Sequence, residues 1–141
     1  MGIGGVAGHA HKYFDAESAG YFSRLHLTQN MSAVTAACLT VEKSLYQQVG
    51  GLNESNLKVA FNDVDFCLRV RSLGLRNLWT PYALLYHHES VSRGHENTQE
   101  KQQRFKSEAS YMQHQWGDLL ESDPAYNRNL TLVREDFSLA A

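Results

Sequence analysis

Two aspartates one residue apart, Asp63 and Asp65, and two adjacent histidines, His87 and His88, are the side chains best suited to chemistry in this sequence. A carboxylate can take a proton from a hydroxyl, and an imidazole can move a proton or hold a divalent cation. On a helix, residues two apart point about 200° from one another, so Asp63 and Asp65 would chelate one ion poorly. A metal-binding Asp-x-Asp pair is therefore not expected here. A single carboxylate at a helix start makes a better general base, although the helix dipole steadies its anion and burial or a hydroxyl partner must supply the reactivity. The competing reading is that one aspartate caps a helix and the other is solvated.

Adjacent residues of a strand face opposite sides, so only one of His87 and His88 can point into a given site. The following Glu89-Ser90-Val91-Ser92-Arg93-Gly94 offers hydroxyls, an arginine and a glycine. Such a loop can hold a diphosphate beside a histidine-bound metal. His9 and His11 would share a face on a strand and could ligate a metal. That leaves open a small metal-dependent hydrolase built on His9, His11 and His87, although the downstream Asp-His of a metallo-hydrolase signature is missing. Trp79, Tyr82, Tyr86 and Trp116 are core residues by default, and one or two of them could offer a platform for a sugar ring.

The elements that must position these groups follow from pattern. The opening, with Gly2, Gly4 and Gly5, reads as a tight turn, and residues 20–30 could hold a short helix. Ser32–Val41, rich in Val, Thr, Ala and Leu, reads as a buried strand. Lys43–Val49 reads as a short helix stopped by Gly50-Gly51. From Asn62 to Leu73, the apolar residues Val64, Cys67, Leu68 and Val70 form an imperfect helical stripe, with Asn62 or Asp63 as N-cap and Gly74 as stop. Arg76–Thr80 and Ala83–His87, separated by Pro81, read as two short strands or one bent one. Phe105, Ala109, Met112 and Trp116 mark the buried face of a helix over Gln99–Trp116, capped by Asn97 with Glu100 and ended by Gly117. The tail, 118–141, is turn-rich and is expected to run along the surface, anchored by Tyr126, Leu130 and Phe137.

At 141 residues the chain fits one domain, 1–141, of mixed α/β character: a short mixed sheet with flanking helices. A formal charge of -2 and a pI near 6.4 give no footprint for nucleic acid. Cys38 and Cys67, both flanked by apolar residues, could pair, but read first as buried free thiols, which suit a reducing compartment. No apolar run is long enough to span a bilayer, and no charged segment leads into an apolar signal-like stretch. Cytoplasmic is the default expectation.

Taken in order, these segments resemble the C-terminal half of family 2 glycosyltransferases, inverting enzymes with the GT-A fold of nucleotide-diphospho-sugar transferases. The resemblance covers roughly residues 2–138. Thr35-Ala36-Ala37-Cys38-Leu39 is similar to the strand preceding the acceptor region. Val49-Gly50-Gly51-Leu52-Asn53-Glu54 resembles the Gly-Gly-Phe-Asp-Glu turn, with Leu52 in the aromatic position. Phe61 to Arg69 resembles the Glu-Asp-Val-Asp-Leu-Cys-Leu-Arg run, with Asn62 in place of the glutamate. Pro81 to His88 is similar to the strand that ends in a metal-associated histidine.

The resemblance implies Asp63 as the base that deprotonates an acceptor hydroxyl, with Asn62 and Asp65 beside it on the acceptor side. It implies His87 or His88 as a ligand to Mg2+ or Mn2+ on the sugar nucleotide, and Ser92 and Arg93 in a loop over the diphosphate. The implied partners are a nucleotide-sugar donor and a saccharide or lipid-linked acceptor, with peripheral association at the inner face of the cell membrane. In family members a nucleotide-binding half with its own Asp-x-Asp precedes this region. The chain is thus expected to be an acceptor-side half that turns over sugar nucleotides poorly alone. The alternative is an inactive acceptor-recognition or partner module. Either way, the strand expected at Ser32–Val41 would lose a neighbour and favour a homo-oligomer.

Overall fold

The computed structural model describes residues 1–87 and 98–140. His88, Ser92, Arg93 and Asn97 lie outside the described residues. The architecture is mixed α and β, as expected: among the described residues it comprises three α-helices, three short 3-10 turns and one two-stranded sheet. In chain order the regular elements are β1 (Gln29–Met31), α1 (Lys43–Gln48), α2 (Asn62–Ser72), β2 (Asn77–Trp79) and α3 (Gln99–Glu121). The sheet is a purely antiparallel pair rather than a mixed one, with Gln29 opposite Trp79, Asn30 opposite Leu78 and Met31 opposite Asn77.

The strand expected at Ser32–Val41 does not form. β1 ends at Met31, and Ala36–Cys38 make a 3-10 turn. The reason lies in the side chains that claim this backbone. The Asn77 Nδ2 amide donates to the Ser32 carbonyl at 2.9 Å and to the Cys67 carbonyl at 3.1 Å. The buried Ser32 hydroxyl donates to Asp123 and accepts from Arg71 Nη1. Thr35 then caps the turn, its Oγ1 accepting from the Ala37 amide at 3.2 Å. Polar capping of this kind competes with a strand ladder whatever the β propensity of the run. Cys38, on that turn, is exposed rather than buried, whereas Cys67 is buried, and both are free.

α1 follows the expected bounds, and Gly50 and Gly51 at φ 82° and 68° turn the chain out of it. α2 also forms where its stripe placed it, and Gly74 at φ 79° follows its end. Its N-cap is neither Asn62 nor Asp63 but Phe61, a left-handed residue at φ 62° with no side-chain cap bond. Both polar residues instead occupy the first turn. The face of α2 toward the molecule buries Asp65, Phe66, Cys67, Leu68 and Val70.

α3 runs past Gly117 to Glu121, and nothing approaches the space where a Cβ at Gly117 would sit. Its cap is Thr98, whose side chain accepts from the Lys101 amide at 3.3 Å. The buried stripe is Glu108, Met112 and Leu120, with Ala109, Trp116 and Leu119 partly covered, while Phe105 is more than two-fifths exposed. Met112 and Leu120 join Val6, Leu57 and Leu68 in the central cluster. Truncating one of these to alanine would cost roughly 2–5 kcal/mol.

Beyond β2, residues 84–87 carry no regular structure, so the second strand expected at Ala83–His87 is absent there, and Tyr82, Leu84, Leu85 and Tyr86 are exposed. The segment around His9 and His11 is a turn rather than a strand, with His11 at φ 60°. Leu130 and Phe137 are buried anchors of the tail, as expected. Phe137 stacks on His11 at 4.7 Å and on Tyr21 at 5.2 Å, fastening the tail to the N-terminal turn.

Candidate functional site

The start of α2 is set by a buried carboxylate that sequence periodicity did not single out. Glu108 of α3 is 2% exposed. Its Oε1 accepts from the Val59 amide at 3.1 Å and its Oε2 from the Ala60 amide at 2.9 Å. These bonds fix the loop just before Phe61, whose left-handed backbone swings the chain into the helix. The legible signal was a charged residue four before Met112, inside an apolar stripe.

Asp63 emerges from this turn, half-buried. Its Oδ2 accepts from the Ala36 amide at 3.0 Å, and its Oδ1 from the Val64 amide at 2.9 Å. The carboxylate opens on a cleft of about 920 Å³ also bordered by Thr35, Asn62, Trp79 and His87. The structure therefore gathers Asp63, Asn62 and His87, from sequence stretches 24 residues apart, at one concave surface. His87 is exposed.

Asp65 does not belong to that cleft. It is 1% exposed and faces the opposite side of α2. Its Oδ1 accepts from the Trp116 indole at 2.9 Å and its Oδ2 from Arg69 Nε at 2.9 Å. Arg69 in turn donates to the Val49 carbonyl, and to the Gly51 carbonyl at 2.7 Å. The expectation of an acceptor-binding Asp65 gives way to a structural role: it ties α2 to α3 and, through Arg69, to the Gly-Gly turn. The roughly 200° separation on the helix divides the two aspartates between these two duties.

His9 and His11 border the large cleft as well. His11 is already engaged: its Nε2 accepts from the Tyr21 amide at 3.0 Å, and its ring lies against Phe137 and Phe14. Burial, then the Arg24 charge, lowers its pKa and keeps the ring neutral. Among the described residues, no group of three or more His, Cys, Asp and Glu assembles a metal site. His87 offers its exposed imidazole to the cleft. Within the same residues no helix is long and apolar enough to cross a membrane.

Asp63, at the start of α2, and His87 thus border one cleft of a mixed α/β chain. The sequence is 57% identical, over all 141 residues, to the uncharacterized protein y4gI of Sinorhizobium fredii, of which it spans 16%. It is 32% identical over 140 residues to the O-antigen biosynthesis protein RfbC of Myxococcus xanthus, spanning 99% of this chain and 11% of that protein. The chain thus covers about a sixth or less of the curated relatives it matches. No family model matches it. No solved structure matches it either.

Proposed function

We propose that the chain is the acceptor-side part of an inverting glycosyltransferase of the family 2, GT-A type, acting in polysaccharide biosynthesis. The observation that carries this reading is Asp63 in the first turn of α2, opening on the same cleft as His87 and Asn62. The similarity to a protein of O-antigen biosynthesis supports it.

In this reading an acceptor hydroxyl gives its proton to the Asp63 carboxylate as its oxygen attacks the anomeric carbon. The bond from that carbon to the nucleoside diphosphate breaks, and the departing diphosphate takes the electron pair, so the configuration inverts. Asn62 lines the acceptor side, and its amide cannot substitute for a second base. His87 would supply one nitrogen to Mg2+ or Mn2+ carried by the donor, whose charge would offset that of the leaving group. By the resemblance, His88 is the alternative metal ligand and Ser92 and Arg93 belong to the loop over the diphosphate, and a lipid-linked acceptor would bring the protein to the inner membrane face.

The test is a chimaera in which these residues replace the matching stretch of the Sinorhizobium relative, assayed for nucleoside diphosphate release from uridine and thymidine sugar nucleotides with Mn2+. Asp63→Asn is expected to lower kcat by about 10² while donor KM changes little. A variant within about threefold of the parent, well short of the general-base range, reassigns Asp63 to holding the Ala36 turn. A chimaera that turns over nothing although it binds acceptor saccharide favours the inactive recognition module.

A further inference from the structure

A second cleft, of about 750 Å³, lies on the face of α2 opposite Asp63 and shares no residue with the first. Three aromatic side chains border it: Tyr46 from α1, and Tyr111 and Trp116 from α3. Each has its polar edge pinned. The Tyr46 hydroxyl accepts from the Leu52 amide at 3.3 Å, and the Tyr111 hydroxyl accepts from Asn53 Nδ2 at 3.0 Å. The Trp116 indole donates to buried Asp65. Gly51 lets the Tyr46 ring lie close, since a Cβ there would come within 3.0 Å of it. The rings are therefore held in place before any ligand arrives, which removes part of the ordering cost of binding.

The chemistry of the border narrows the ligand. Arg69 is committed to Asp65 and to the carbonyls of Val49 and Gly51, so its charge is already matched and the cleft does not call for a phosphate. Gln47, Asn53, Glu54, Ser55 and Gln115 interleave the rings with neutral or acidic hydrogen-bonding groups, which does not suit a purely apolar ligand. Aromatic faces beside amides and a carboxylate match a pyranose: axial C–H groups lie on a ring face while equatorial hydroxyls reach the amides. The volume falls within the range of roughly 300–1,000 Å³ for small-molecule sites.

We propose that this cleft is a neutral-saccharide subsite, separate from the Asp63 cleft, that holds one to three hexose units of all-equatorial type. The assignment does not depend on Asp63 being a base. Its occupant would be gripped by Trp116 and Tyr46 and oriented by the exposed amides of Gln47 and Gln115.

The test is a titration of the 141-residue chain with cellotriose, followed by the Trp116 indole N–H resonance, which Trp116→Phe identifies by its loss. A saturable shift with half-saturation near about 1 mM, an affinity of roughly 4 kcal/mol, is expected. Gln115 is exposed on α3, so Gln115→Ala should leave the fold intact while weakening binding at least several-fold. Asp63→Asn should bind as the parent does. No saturable shift overturns the proposal, as does a shift that Gln115→Ala leaves unchanged or one that glycerol reproduces. Loss of binding in Asp63→Asn also overturns it and puts the saccharide in the other cleft. Because the Asp63 reading is tested by turnover, the two can fail separately.

Discussion

Replacing Asp65 tests whether the second aspartate is structural. Its carboxylate is all but inaccessible and accepts one hydrogen bond from the Trp116 indole and one from the Arg69 guanidinium. Hydrogen bonds to a charged partner contribute about 1.5–3 kcal/mol each. Asp65→Asn preserves shape but removes the charge, and its amide nitrogen must face one of two donors, so one bond is lost and the other weakened. A loss of roughly 2–4 kcal/mol follows. Asp65→Ala leaves Arg69 without its counter-charge and should cost about 3–5 kcal/mol. Against a total stability of about 5–15 kcal/mol, the asparagine variant should still fold. Urea unfolding followed by tryptophan emission and far-ultraviolet circular dichroism reads the change. With a slope of about 1–3 kcal/mol per molar, the midpoint should fall by on the order of 1–2 M at unchanged slope. Combining Asp65→Asn with Trp116→Phe should cost about 1 kcal/mol less than the sum of the two. A midpoint within roughly 0.3 M of the parent, or above it, would refute the tie. It would return Asp65 to a ligand-binding role, since residues kept for function often cost stability.

Gly117 lies inside α3 with open space around it, so Gly117→Ala should raise stability by about 1 kcal/mol, seen as a higher urea midpoint. His11, held neutral by burial, binds a proton more weakly in the folded chain than in the unfolded one. Its contribution is therefore whole above about pH 6.5 and is lost as the pH falls through its lowered folded value; a His11→Gln variant should show a flatter stability profile over that window. An alkylating reagent should modify Cys38 in the native chain but reach Cys67 only after denaturation, because Cys67 is buried and its desolvation raises the thiol pKa. Two modified cysteines without denaturant would contradict this packing. Among the described residues the sheet has two strands, each with an outer edge, so light scattering at micromolar concentration is expected to give at least twice 15.9 kDa; a monomer mass would show that the chain needs no second copy.

The parts legible in the sequence were those where backbone conformation follows from one residue type. Gly50-Gly51 and Gly74 marked helix ends because only glycine takes positive φ without strain, and these glycines do take it. The start of α2 was placed from its stripe, and with it the position of Asp63. Gly117 misled for the same reason that the others informed: glycine is permitted, not required, to leave a helix. Ser32–Val41 misled because its fate is decided by Asn77, Arg71 and Asp123, which lie tens of residues away and outcompete local propensity. Opposite duties for Asp63 and Asp65 followed from helical geometry. That Asp65 serves packing rather than substrate depended on Trp116, 51 residues on.

The bond from the Ala36 amide to Asp63 carries a consequence for how the carboxylate could be used. Both of its oxygens already accept a main-chain donor, one from the turn after β1 and one from its own helix. A hydroxyl that approaches Oδ2 must share it with Ala36 or displace that amide, and a displaced amide needs water in its place. Arrival of a hydroxyl and loosening of the 36–38 turn are thus two sides of one exchange. The turn would act as a placeholder, solvating the carboxylate until a substrate takes over and withdrawing as it does so.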